Sequence, residues 1–156
     1  WALLQKPEDH LVFTMGRRTL ASKMIEGQFP AFEKVIAVTG DKVVQMDRER
    51  LATAIRRVSL LSSERTRTVK LQLASGRLEL AASSPDLGEA KESLDTEYKG
   101  GGLKIGFNAQ YLLDFLAVSG SKEVALELKD AESQGLFRPA EKGDLDYRYV
   151  VMPIRL

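Results

Sequence analysis

Two stretches of the chain, residues 41–97 and 103–152, run through the same order of patterns: strand, helix, strand, strand, strand. The repeat is one of architecture and not of residues, and it restricts the fold more tightly than any composition figure. Each unit has one helix with a single apolar stripe and strands with alternating apolar faces, and neither can bury those faces alone. Two β-α-β-β-β units can pair into a sheet backed by two helices, which makes about 40–156 an α+β domain. The 156 residues leave room for that domain plus a piece of another.

In the first unit Gly40-Asp41 marks a turn before a strand at 42–46. Asp47 then caps a helix predicted over 48–61, with Arg50 where a complete capping box has Glu. Leu51, Ala54, Ile55, Val58 and Leu61 recur at helical spacing and form the core stripe, while Arg50, Arg56 and Arg57 lie off it. Strands are predicted at 67–73, 77–83 and 90–97, with Ser75-Gly76 as a hairpin turn and an acidic turn at 84–88. After a glycine break at 100–102 come a strand at 103–107, Asn108 as the N-cap of a helix over 109–118, and strands at 122–128, 134–139 and 145–152. Ahead of both units, 10–15 and 18–25 read as two strands around Gly16-Arg17, joined to the first unit by a connector with apolar anchors Phe29, Phe32, Val35 and Ile36. These two strands look like the tail of a preceding domain. The chain opens on Trp1 and not on Met, which points to a processed chain or a piece of a longer one.

Catalysis has poor support. With no cysteine and the single His10, thiol catalysis, thiolate zinc, disulfides and histidine relays all lack their residues. The absence of cysteine fits a reducing cytoplasm. There is no phosphate-binding loop: the glycines at 100–102 lack the Lys-Ser/Thr and the following helix that would make one. No metal, cofactor or active site is expected, and no apolar run reaches the length of a membrane helix.

The net charge of +1 hides a segregation. Residues 41–67 carry seven basic and four acidic side chains (+3), and residues 68–97 carry three basic and six acidic ones (−3). Opposed surfaces of this kind suit different partners. Arg50, Arg56 and Arg57 can track phosphates without reading bases, or can simply solvate a helix face. The ending Met152-Pro153-Ile154 after a strand leaves apolar atoms near the surface, either as a docking patch or as a tail packed on its own core.

Three groups of residues carry a family resemblance: Glu26-Gly27-Gln28-Phe29-Pro30 with its connector; Ile105-Gly106-Phe107-Asn108 followed by Tyr111-Leu112-Leu113-Asp114; and the ending from Tyr149 to Leu156. With them, nearly the whole chain resembles the C-terminal part of the bacterial DNA polymerase III beta subunit, the sliding clamp family. The resemblance implies that 1–38 is the end of a middle clamp domain with its linker and 39–156 the third domain, which is the DNA-clamp fold. It implies a non-catalytic processivity factor: a two-subunit ring around duplex DNA, contacting it without sequence specificity, that docks polymerase, clamp loader and repair proteins through linear motifs.

Residue by residue, the resemblance implies a partner-peptide pocket at Pro30, Lys34, Val35, Asn108, Tyr111, Val150, Met152, Pro153, Ile154, Arg155 and Leu156. Lys34 stands where the family has an arginine, which keeps the charge and loses the planar fork. Glu132 and Gln134 fall where the chain departs from the family pattern. Arg50, Arg56 and Arg57 take the role of DNA-channel residues. Leu60 and Leu61, with Asp86, Glu89 and Glu92, take that of the subunit interface, although Lys91 and Gly88 interrupt the acidic row. The alternative is a free-standing protein-interaction module that binds short peptide motifs without DNA.

Overall fold

The computed structural model describes residues 1–29, 31–37, 40–63, 66–141, 143 and 146–156. Pro30, Arg65 and the start of the strand expected at 145–152 lie outside them. The chain divides into two compact units, Trp1–Ala31 and Phe32–Leu156. The first unit is a three-stranded antiparallel sheet of β1 (Leu3–Gln5), β2 (His10–Met15) and β3 (Arg18–Lys23) in that order. The β2–β3 hairpin turns at Gly16, as expected, while β1 was not expected; it is three residues long, too short for alternation to register.

The second unit opens with a short helix, α1 (Phe32–Ile36), inside the segment read as a connector. It continues through β4 (Lys42–Asp47), α2 (Arg48–Ser59), β5 (Thr68–Ala74), β6 (Arg77–Ser84) and β7 (Gly88–Asp95). The same order follows in β8 (Leu103–Asn108), α3 (Ala109–Val118), β9 (Glu123–Leu128), β10 (Gly135–Pro139) and β11 (Tyr149–Val151). Where the sequence reading had one sheet, these strands form two four-stranded antiparallel sheets, ordered β11-β10-β9-β4 and β7-β6-β5-β8. Each sheet takes three strands from one repeat and the leading strand of the other. Alternation says which face of a strand is buried but nothing about its neighbour, so this exchange is invisible in the residues.

Both N-caps fall where the residue types put them. The Asp47 carboxylate accepts from the Arg50 backbone N–H (2.9 Å), and the Asn108 amide oxygen accepts from the Gln110 N–H (2.8 Å). Helix α2 ends two residues before the predicted 61. The Leu60 N–H donates to Arg57 O and the Leu61 N–H to Val58 O, which tightens the last turn. Gly76 takes φ +76° in the β5–β6 hairpin, a backbone that L side chains resist.

The core lies between the helices and the two sheets. Leu51, Ile55 and Val58 of α2 and Leu112, Phe115 and Leu116 of α3 are all buried, with Val69, Leu71, Leu78, Leu80, Ile105, Phe107, Leu126 and Phe137 from the strands. Phe115 sits in an aromatic cluster: its ring lies 6.0 Å from Phe137, 5.7 Å from Tyr147 and 5.6 Å, nearly parallel, from Tyr149. Phe137 meets Phe107 edge-on at 5.5 Å. The cluster ties α3 to β8, β10 and β11, and so holds the C-terminal strand in place.

The two helices are also stapled end to end. The Arg48 Nε donates to Ser121 O (2.9 Å) and its Nη1 to Leu116 O (3.0 Å), placing a cation at the carbonyl end of α3. Arg48→Ala strands those carbonyls and is expected to lower unfolding free energy by about 1–2 kcal/mol in urea titration. An unchanged midpoint would mean that water satisfies them equally well.

Candidate functional site

The expected pocket residues come from three places, and hydrogen bonds bring those places together. The Gln134 side-chain amide donates to Val35 O (2.9 Å), fastening α1 beside the start of β10. Gly135 at that start pairs with Val151 of β11. Beyond β11 the tail crosses to the other sheet, where the Ile154 N–H donates to Gly106 O of β8 (2.8 Å) in an isolated antiparallel bridge. Two residues after Gly106, Asn108 ends β8 and caps α3, with Tyr111 in the first turn of that helix. One side-chain bond, the β10–β11 ladder and the isolated Ile154–Gly106 bridge thus connect the segments that carry Val35, Val150, Met152, Ile154, Leu156, Asn108 and Tyr111.

Much of the surface of these segments is bare and apolar. Met152 is 65% exposed, Leu156 61% and Tyr111 53%, while Val150, Pro153 and Ile154 are half-buried. Lys34 and Arg155 are exposed beside them. Leu156 lies over Gly106, where a β-carbon would stand 2.6 Å from its Cδ2 and 2.9 Å from Ile154 O. Gly106 is therefore the residue that lets the tail lie flat on β8. Desolvation raises the Tyr149 phenol above its usual pKa, with the Asp114 carboxylate adding to the effect. Pro30 lies outside the described residues. Gln134, placed in the deviating stretch by sequence, proves to be the anchor of α1. No local pattern signals a side chain that bonds a backbone carbonyl 99 residues away.

The basic helix face divides. Arg56 is exposed among Glu49, Thr53 and Leu60, opposite the buried stripe. Arg50 and Arg57, seven residues apart, share the flank toward β7. Arg57 Nη1 donates to the Glu92 carboxylate of β7 at 3.1 Å, joining a residue expected to face DNA to one expected at the subunit contact. This exposed pair is worth little in stability, but it lowers the charge that each side offers. Glu89 is likewise matched by Lys91 at 3.2 Å, and Asp86 is exposed in the turn before β7. Leu60 caps α2 at 76% exposure, Leu61 is half-buried, and Leu60 lines a cavity of about 280 Å³ with Leu87, Arg67 and Leu113.

Of the glycines at 100–102, Gly100 serves close packing. A β-carbon on Gly100 would strike the Tyr98 ring, whose hydroxyl donates to Gly101 O at 2.8 Å. Among the described residues no group of His, Cys, Asp or Glu could hold a metal ion, and no helix is long and apolar enough to cross a membrane.

The family model for the DNA polymerase III beta subunit, C-terminal domain, matches residues 33–155. The chain belongs to the DNA polymerase III beta subunit family. The beta sliding clamp of Pseudomonas aeruginosa is 43% identical over 149 residues, covering 96% of this chain and 40% of that protein. The beta sliding clamp of Haemophilus influenzae is 37% identical over 155 residues, covering 99% of this chain and 42% of the relative. A crystal structure of the P. aeruginosa DNA polymerase III subunit beta superposes with a TM-score of 0.88 at 42% identity, over 98% of this chain and 42% of that one. Another structure from that organism, similar with a TM-score of 0.86, is a sliding clamp bound to griselimycin. The α+β clamp fold is shared with these structures. The chain spans about two fifths of the length of the clamp relatives that it matches.

Proposed function

We propose that the chain acts as the C-terminal part of a sliding clamp: a non-catalytic processivity factor that closes, as a two-subunit ring, around duplex DNA and docks replication and repair proteins. In this reading 39–156 is the third clamp domain and 1–38 the end of the second with its linker, working in the cytoplasm. The observation that carries it is the bare apolar surface of Tyr111, Met152 and Leu156, with the tail bridged to β8 at Ile154–Gly106 and β11 backed by the aromatic cluster. A folded domain gains nothing by fixing such a patch in place unless something covers it. Its extended shape and flanking cations, Lys34 and Arg155, suit short peptides with apolar anchors and an acidic or polar flank. The positive residues of α2 supply contacts without base readout, which sliding requires. Arg56 is the most available of them, Arg57 being shared with Glu92.

The test uses a fluorescent peptide carrying a polymerase clamp-binding motif and follows its anisotropy. Met152→Ala with Leu156→Ala should weaken binding by about tenfold or more, since both exposed side chains lose most of their contact area. Thermal unfolding should hardly move, because neither is in the core. Unchanged affinity would place the docking surface elsewhere. The ring itself is tested on a subunit of the relatives' length: it should remain on nicked circular duplex DNA and slip off once the circle is cut.

A further inference from the structure

The two repeats treat their leading strands differently. β8 stands at the edge of its sheet and is met there by the chain that follows β11, through the Ile154–Gly106 bridge. β4 stands at the same place in the other sheet, and by the symmetry of the repeat the chain that follows β7 should meet it. It does not. Residues 96–98 turn back onto the β5–β6 hairpin instead: the Thr96 N–H donates to Gly76 O (2.9 Å) and the Gly76 N–H to Tyr98 O (2.7 Å). What remains between β4 and the end of β7 is an open cleft of about 630 Å³. That is within the range of about 300–1,000 Å³ usual for ligand clefts.

From this asymmetry we infer a second docking site, in which an extended basic peptide segment lies in the cleft along β4 and takes the place that Ile154 takes against β8. The apolar lining comes from Val43, exposed on β4, with Leu94 and Tyr98. Edge strands with free backbone groups take up extended chains, and an exposed Val on such an edge gives the incoming chain an apolar contact. The charge selects the partner. Among the described residues Asp47, Asp95, Glu97 and Glu123 line the cleft against Arg50 and Lys99, so it is acidic where the Met152–Leu156 surface is flanked by cations. Basic residues on either side of a small apolar anchor match it, and an acidic peptide is repelled.

The inference stands apart from the proposed peptide surface, and one experiment separates the two. The probe is a labelled octapeptide, Lys-Lys-Val-Gln-Val-Thr-Lys-Lys, with a control in which every Lys is Glu. Both are titrated into the isotopically labelled 156-residue chain. The basic peptide should bind saturably and shift the amides of Val43, Gln45 and 96–99, while the acidic control leaves them in place. Asp95→Lys with Glu97→Lys should cost at least about tenfold in affinity, which is 1.4 kcal/mol. Both positions are exposed, so the fold should tolerate the change. Val43→Arg, a second variant on the opposite wall, should do the same, and Met152→Ala with Leu156→Ala should leave this binding untouched. Equal binding of both peptides, shifts centred on 152–156, no saturation, or indifference to both cleft variants would each overturn the inference.

Discussion

Replacing Gly106 by Val is expected to abolish peptide docking while leaving most of the fold standing. The new β-carbon would come within 2.6 Å of Leu156 Cδ2 and 2.9 Å of Ile154 O, and the two methyls beyond it need still more room. β8 itself should tolerate the change: Gly106 pairs with Lys70 in a regular ladder, and Val suits a strand better than Gly does. The tail is the weaker party. It is held to β8 by one backbone hydrogen bond, from Ile154 to Gly106, and the collision breaks that bond. Overpacking of this kind costs about 1–3 kcal/mol, met here largely by releasing residues 152–156. Peptide affinity should fall by well over tenfold while urea unfolding stays cooperative. Retention of full affinity would mean that the ligand does not read the tail in the position it holds against β8.

The largest loss of stability is expected from Phe115→Ala. The ring is fully buried and contacts Phe137, Tyr147 and Tyr149. Truncating such a ring costs about 3–5 kcal/mol. Each aromatic pair adds about 0.5–1.5 kcal/mol beyond its area. Set against a typical total of about 5–15 kcal/mol, the variant should be close to unfolding at physiological temperature. Its effect should also be local: β11 is three residues long and lies at a sheet edge, so without the Tyr149–Phe115 stack its amides should exchange faster than those of β5 or β6. Phe115→Leu, which keeps most of the volume, is the control and should recover most of the stability. Equal damage from Leu and Ala would mean that ring geometry matters more than filled space.

The sequence made some parts of this architecture plain. Helix α3 is predicted and observed over the same ten residues because an N-cap Asn and an apolar stripe act within a few positions of one another. Strand alternation did the same for β2 and came within one residue at each end for β5 and β6. The candidate site was legible only in its ingredients: a Met-Pro-Ile ending, an Asn-capped helix, a Phe-rich connector. Its assembly depends on Gln134 reaching Val35 and on Ile154 reaching Gly106, contacts between segments far apart in the chain. The arginine face of α2 failed to read as it stands for the same reason, since the partner of Arg57 is on a strand 35 residues later. Helix α1 was passed over because five residues carry too little periodicity to be distinguished from a connector.

The exchange of leading strands also sets a timetable for synthesis. β4 is among the first segments of the larger unit to leave the ribosome, yet its partner is β9, with Asp47 opposite Glu123 and Lys42 opposite Leu128. The β5–β6–β7 meander can form as it emerges. β4 must wait, with one buried face still wet, until α3 and β9 follow. Long-range pairing of this kind slows folding and lengthens the interval during which an unpaired strand can find a wrong neighbour, such as the same strand of another nascent chain.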